Sequence, residues 1–227
     1  MILQNFYLNT IVILLASYLI GSFPSAYIAG KIKGIDDISK IGSRNVGGMN
    51  TITNVGKFAG VIVIITDIGK GALAAYLADR FSDHIFIPLL AVVFAVIGHN
   101  WMVYIGFKGG KGVSTFLGGL LYLSPISFLF LYLLFIPVAL FIIKDSYLAT
   151  AVGFFFFSFF LWVSKGFLHA LWFHGFGGSF WWVIFGFLVT IVYSIKCYSF
   201  IKSYYTEKRK DIHPVVKKIF KPFFKGM

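Results

Sequence analysis

The chain is short of charge and of sulfur. Of its 227 residues one is cysteine, Cys197, so no internal disulfide can form, and its apolar surroundings leave the redox compartment undefined. Charged residues make up 12% of the chain and only 8 are acidic. That scarcity excludes an ordinary soluble domain, because 59% of the residues are hydrophobic, 20% are aromatic and the mean hydropathy is +0.87. Lysine and arginine are missing from Met1 to Thr10, and no small-residue cleavage site follows. The first apolar run is therefore expected to be retained and not removed as a signal peptide. The longest polar stretches, Lys31 to Lys57 and Lys202 onward, are too short for a second, soluble core. No internal repeat is evident, and the one low-complexity segment is Phe154 to Phe157.

What the chain has in abundance is apolar runs. A helical span needs about 20 apolar residues, and the candidates are Phe6 to Ile28, Phe58 to Leu77, Ile85 to Ile105, Val113 to Tyr122, Ile126 to Ile143, Tyr147 to Val163 and Phe180 to Phe200. The stretch from Val113 to Ile143 reads either as one overlong helix or as two spans broken at Ser124-Pro125. Charge decides: with the break, Lys31, Lys33, Lys40, Arg44, Lys57, Lys108, Lys111, Lys144 and the basic tail all fall on one side, leaving Arg80 and Lys165 on the other. The expectation is an all-α polytopic membrane protein with seven transmembrane helices, its N-terminus outside and its C-terminus cytoplasmic. Residues 1–200 form the transmembrane domain, residues 31–57 and 98–115 are loops at the cytoplasmic face, and residues 201–227 are a basic cytoplasmic tail. The short fourth span is expected to start within the second of these loops, as a half-helix pointing its N-terminus there.

Topology also accounts for the net charge of +12, so no nucleic-acid partner is expected. The tail is read as setting orientation and meeting anionic lipid, with Phe220, Phe223 and Phe224 among its lysines.

The two loops are rich in glycine and positive charge: Gly42-Ser43-Arg44-Asn45-Val46-Gly47-Gly48-Met49-Asn50 and Lys108-Gly109-Gly110-Lys111-Gly112-Val113-Ser114-Thr115. Glycine lets backbone N–H groups turn toward an anion, lysine and arginine supply charge, and a helix N-terminus adds its own partial charge. The pattern points to a phosphate carried by, or passed to, something lipid-like. Walker A spacing fails, which argues against ATP hydrolysis, and the His-x-x-x-x-Asp arrangement of soluble acyltransferases does not occur.

Among individual residues, Asp67 and Lys70 share a helix face and are expected to pair, with a part in shaping the site left open. No further carboxylates stand at membrane depth for a proton relay. His99 is either a general base or a helix-end histidine bonded to a carbonyl. Ser43 lacks an adjacent base and reads as a hydroxyl donor to phosphate. His84, His169 and His174 look interfacial, and the last two lack the neighbours a metal site needs.

The two loops, in this order and with Asp67-x-x-Lys70-Gly71 between them, resemble those of the PlsY family of bacterial membrane acyltransferases. The similarity runs from Gly21 to about Leu123. The family's first loop reads Gly-Ser-Gly-Asn-x-Gly-Ala-Thr-Asn-x-x-Arg; this chain keeps Gly42, Ser43, Asn45, Gly47 and Asn50, has Arg44 for a glycine, Gly48-Met49 for Ala-Thr, and Thr53 for the phosphate-binding arginine. The second loop is nearly intact, from Gly98-His99 through Thr115. Tyr147-Leu148-Ala149-Thr150 stands for Ser-Leu-Ala-Ser, and His213-Pro214-Val215-Val216 for His-x-x-Asn.

The resemblance implies seven spans with cytoplasmic motifs in the inner membrane. It also implies transfer of a fatty acyl group from acyl phosphate to glycerol 3-phosphate, giving lysophosphatidic acid, without cofactor or metal. Lys111, Ser43 and His99 become candidate catalytic groups; Arg44, Asn45, Gly47, Asn50, Lys108, Gly109, Gly110, Gly112, Thr115 and His213 become candidate substrate contacts. The Thr53 and Val216 departures leave open another phosphorylated alcohol as acceptor, and an organic-phosphate transporter is the rival from a different class.

Overall fold

The computed structural model describes residues 2–84, 86–125, 131–143, 146–163 and 180–206. The first apolar run is one helix interrupted once. Helix α1 spans Ile2–Ser22 and α2 spans Ser25–Ile32, with Pro24 as the cap between them. Proline disfavours helical geometry in the residue before it yet fits the start of a helix, so the chain breaks at Phe23 and resumes. A 3-10 turn at Ile38–Lys40 and the short α3, Gly48–Asn54, carry the first motif loop. Helix α4, Lys57–Phe81, has 25 residues and, at about 1.5 Å per residue, outreaches a hydrocarbon layer of roughly 30 Å.

Helix α5 covers Phe86–Asn100, stopping short of the Ile105 end expected for the third span. The chain reverses there: Met102 and Lys108 form an antiparallel bridge around a 3-10 turn at Val103–Ile105, and Gly106 takes φ 68°. Hydropathy alone could not see this, because Trp101 to Ile105 are apolar enough to continue a span. Helix α6 runs Val113–Leu123 and does begin at the second motif loop; it ends at Ser124, before Pro125. With 11 residues it rises only about 16 Å. Beyond it lie a π-helical turn at Leu131–Phe135 and α7, Ile136–Ile143, then α8, Ser146–Val163, and α9, Phe180–Thr206. The described residues are thus helical apart from loops and one isolated bridge. By length and composition, 3 of the described helical runs can cross a membrane: Phe6–Ile32, Lys57–Phe81 and Phe180–Tyr198.

Helices α4 and α6 pack backbone to backbone, since a Cβ at Gly71 would overlap the Thr115 carbonyl and one at Gly118 that of Ile68. Small residues supply such contacts where no hydrophobic effect drives helices together. The main apolar core joins α5, α6, α8 and α9 through aromatic edges, with Phe116 against Phe154 at 5.0 Å and Phe154 against Tyr193 at 5.2 Å. The phenylalanine run resolves by helical period: Phe154 and Phe157 are buried, while Phe155 and Phe156 face outward. A smaller cluster, Ala26, Ile38, Val46, Val63 and Met102, takes members from both motif regions and so ties them to one end of the bundle.

Candidate active site

The first loop is organised by two side chains. Asp37 caps the 3-10 turn, its Oδ1 accepting from the Ser39 N–H at 3.0 Å and the Ser39 hydroxyl at 2.6 Å. Asn50, buried on α3, accepts at Oδ1 from the Ser43 N–H (3.0 Å) and Asn54 Nδ2 (2.9 Å), and donates from Nδ2 to the carbonyls of Ile38 (3.2 Å) and Ile41 (3.3 Å). The amide is fully used in shaping the loop. Arg44 sits at φ 59°, in the left-handed region. This explains why glycine suits the position, and why an arginine there pays about 1–2 kcal/mol in backbone strain. Ser43 is exposed, and Asn45 is half-buried with its Oδ1 lacking a hydrogen bond. Thr53, where an arginine was looked for, turns its hydroxyl back to the Met49 carbonyl at 3.0 Å and brings no charge.

The second loop lies directly against the first. Lys108 Nζ donates to Asp37 Oδ2 at 2.7 Å. Partial burial pushes the Asp37 carboxyl upward, but the bonds from Lys108 and Ser39 prevail and hold it at about 2. Gly110 donates its N–H to the His99 carbonyl at 3.0 Å, and a Cβ there would overlap His99 Nε2 and lie 2.8 Å from the Val46 carbonyl oxygen. Only glycine lets the two loops approach this closely. Gly47 and Gly109 are buried, and Lys111 is half-buried between Gly110 and Gly112. Gly112, at φ 77°, caps α6 and aims that helix's N-terminus at the loop. Thr115, in the first turn, is fully buried and its Oγ1 has no hydrogen bond among the described residues.

Beneath the loops the spans carry charge. Asp67 and Lys70 pair at 2.6 Å, and Ser25 donates to the same Asp67 oxygen at 2.7 Å. His99 is buried, its Nδ1 3.7 Å from Asp67 and without a hydrogen bond among the described residues. Lys196, on α9, donates to the Asn100 carbonyl and lies 5.3 Å from the Trp101 ring centre. Ser25, Asp37, Asn100 and Lys196 were not singled out in the sequence. Ser25 lies near the start of the similarity that runs from Gly21 to about Leu123, whereas Asp37 and Lys196 carry no signal of their own. His213 lies outside the described residues, as do His169, His174, Val216 and the tail from Glu207 onward, residues 201–206 continuing α9. His84 follows α4 at its far end, edge-on to Phe6 at 4.5 Å.

Two glycine-rich, basic loops and a helix N-terminus that meet at one end of an apolar helical bundle define a helical membrane protein. A family model for glycerol-3-phosphate acyltransferase matches residues 11–205. The chain therefore belongs to the glycerol-3-phosphate acyltransferase family. It is similar to glycerol-3-phosphate acyltransferase 2 of Moorella thermoacetica, 37% identical over 62% of this chain and 73% of that one. It is also similar to the protein of that name from Dehalococcoides mccartyi, 44% identical over 54% of this chain, an alignment spanning only 58% of the relative's length. The crystal structure of PlsY, an integral membrane glycerol 3-phosphate acyltransferase, in its glycerol 3-phosphate form, matches with a TM-score of 0.71 and 26% identity, covering 91% of this chain and 96% of that one. The lysophosphatidic acid form of PlsY matches with a TM-score of 0.69.

Proposed function

We propose that this chain transfers a fatty acyl group from acyl phosphate to the sn-1 hydroxyl of glycerol 3-phosphate, giving lysophosphatidic acid for phospholipid synthesis. The observation that carries the reading is the meeting of the two motif loops, Gly110 against Val46 and Lys108 on Asp37. Two phosphorylated reactants need two neighbouring anion sites, and family membership supplies the chemistry.

Acyl phosphate is a mixed anhydride with a good leaving group, so the work is electrostatic and positional. Lys108, Lys111 and the N–H groups of Gly109 and Gly112 hold one phosphate, the Gly110 N–H being kept by the His99 carbonyl; Ser43, Arg44 and Asn45 hold the other, on a loop whose shape Asn50 and Gly47 maintain. The acceptor oxygen attacks the carbonyl carbon, the bond from that carbon to the phosphate oxygen breaks, and inorganic phosphate departs. The hydroxyl proton passes to a phosphate oxygen of the acceptor, with His213 as a secondary acceptor. His99 is better suited to bracing the loop than to meeting substrate, since its Nε2 side is covered by Gly110. No cofactor or metal takes part. The acyl chain has a groove of about 620 Å³ beside α1 and α4, lined by Leu19, Phe23, Leu73 and Tyr104 with Lys70 at its floor.

In this reading the chain crosses the inner membrane seven times, N-terminus outside, with the site facing the cytoplasm beside the tail of residues 201–227. A different phosphorylated alcohol is favoured as acceptor by one observation, the uncharged and self-bonded Thr53. Incubating purified protein with palmitoyl phosphate and a mixture of glycerol 3-phosphate and other phosphorylated alcohols, then identifying products by mass spectrometry, tests both. Lysophosphatidate as the main product supports the proposal. Uptake of phosphate ester into vesicles with no acyl product would replace it with transport.

A further inference from the structure

Under the cradle, residues from α2, α4 and α5 converge on a single oxygen. Asp67 Oδ1 accepts from Ser25 at 2.7 Å and from Lys70 at 2.6 Å, with His99 Nδ1 3.7 Å away; Lys70 also donates to the Ser25 hydroxyl at 3.3 Å. All of these groups are buried. His99 in turn touches the cradle twice: its carbonyl takes the Gly110 N–H at 3.0 Å, and its Nε2 lies where a Gly110 side chain would stand. We propose that Asp67 is a positioning residue, whose carboxylate fixes the His99 ring and, through it, holds the Lys108 to Gly112 loop in the shape that grips the acyl donor's phosphate. The inference rests on the acyl-transfer reading of that loop and names the group beneath it that sets its affinity.

Stability alone does not account for the pair. A buried salt bridge contributes little over an apolar replacement, and charges at membrane depth are kept where they serve a site. The location fits such a service. Among the described residues Nδ1 of His99 has no hydrogen bond, and the Asp67 carboxylate is the acceptor that stands close to it. A shift of well under 1 Å would join them within ordinary hydrogen-bond distance. With Nδ1 restrained on one side and Gly110 on the other, the ring cannot turn without moving the loop.

The test compares four purified full-length proteins: wild type, Asp67→Asn with Lys70→Met, His99→Gln, and the triple variant. Replacing both partners of the ion pair leaves no charge uncompensated, so a role limited to neutralising Lys70 predicts wild-type kinetics. Positioning predicts a KM for palmitoyl phosphate raised about tenfold with kcat within about twofold, because binding shared by ground and transition states is what weakens. The triple variant should be no worse than the weaker of its parents, since both act through one path. A wild-type KM in the pair variant overturns the inference, as do effects that multiply in the triple variant. Loss of a monodisperse, folded pair variant overturns it too, by giving the pair a folding role. Calorimetric titration with palmitoyl phosphate, without acceptor, needs no turnover. The same about tenfold loss of affinity there upholds the positioning role even where wild type makes no lysophosphatidate, an outcome that counts against the acyl-transfer reading instead.

Discussion

Substituting Gly110 with alanine interrogates the meeting of the loops most sharply. The added Cβ would lie 2.8 Å from the Val46 carbonyl oxygen, where ordinary contact begins at 3.4 Å, and would overlap His99 Nε2 outright. Neither neighbour is free to give way: one is backbone of the first loop and the other a ring buried at the end of α5. The Lys108 to Gly112 segment must therefore move outward by about 1 Å. A displacement of that size at a positioning group costs roughly 100-fold in rate, or about 2.7 kcal/mol of transition-state binding. The assay is kcat/KM for lysophosphatidate formation by Gly110→Ala, with Gly34→Ala as the control. Gly34 has a positive φ of 76° but nothing within 4 Å, so its substitution brings strain of about 1 kcal/mol without collision and should leave activity within about twofold. Wild-type kcat/KM in Gly110→Ala would refute the argument that the loops touch in the working protein.

Arg44→Gly removes both the left-handed strain and a charge. It should stabilise the fold by about 1 kcal/mol in thermal unfolding while raising KM for glycerol 3-phosphate, and an unchanged KM would mean that Arg44 does not stand in for the charge missing at Thr53. Lys70→Met alone leaves the Asp67 carboxylate buried without its cation and should cost about 3–5 kcal/mol, most of it regained when Asp67→Asn is added; calorimetry of the two variants decides. The Asp37 carboxyl is held at about 2, below the ordinary aspartate value of 3.8. Because the folded value is depressed, the stability it contributes is complete above about pH 4 and drains away as pH falls toward 2. The gap in Tm between wild type and Asp37→Asn should therefore be present at pH 5 and close on acidification, and a gap that widens would contradict the Lys108 pairing.

How much of this was readable beforehand follows from what each signal is made of. The break at Ser124-Pro125 and the start of α6 at Gly112 were legible, since proline, glycine and span length act locally. The end of α5 was not: Trp101 to Ile105 are apolar, and the turn back to Lys108 is made by a backbone bridge and by Gly106. Asn50 was legible as important, but its service as internal scaffolding depends on bonds to Ile38, Ile41 and Ser43 that spacing does not announce. The Asp67 and Lys70 pair was expected from i, i+3 geometry. The approach of His99 and Ser25 to it required the crossing of three helices, which no local pattern encodes. Asp37, one of two adjacent carboxylates in a loop, is set apart from Asp36 only by the Lys108 that lies on it.

The central claim is that the Lys108 to Thr115 loop and the Ser43 region form one cradle for phosphorylated reactants. It is tested most directly by measuring lysophosphatidate formation from palmitoyl phosphate and glycerol 3-phosphate by wild type, Lys111→Ala and Asn45→Ala, all shown to be folded in detergent. The account requires product from wild type and its loss in both variants, one from each loop; undiminished product from both variants would contradict it.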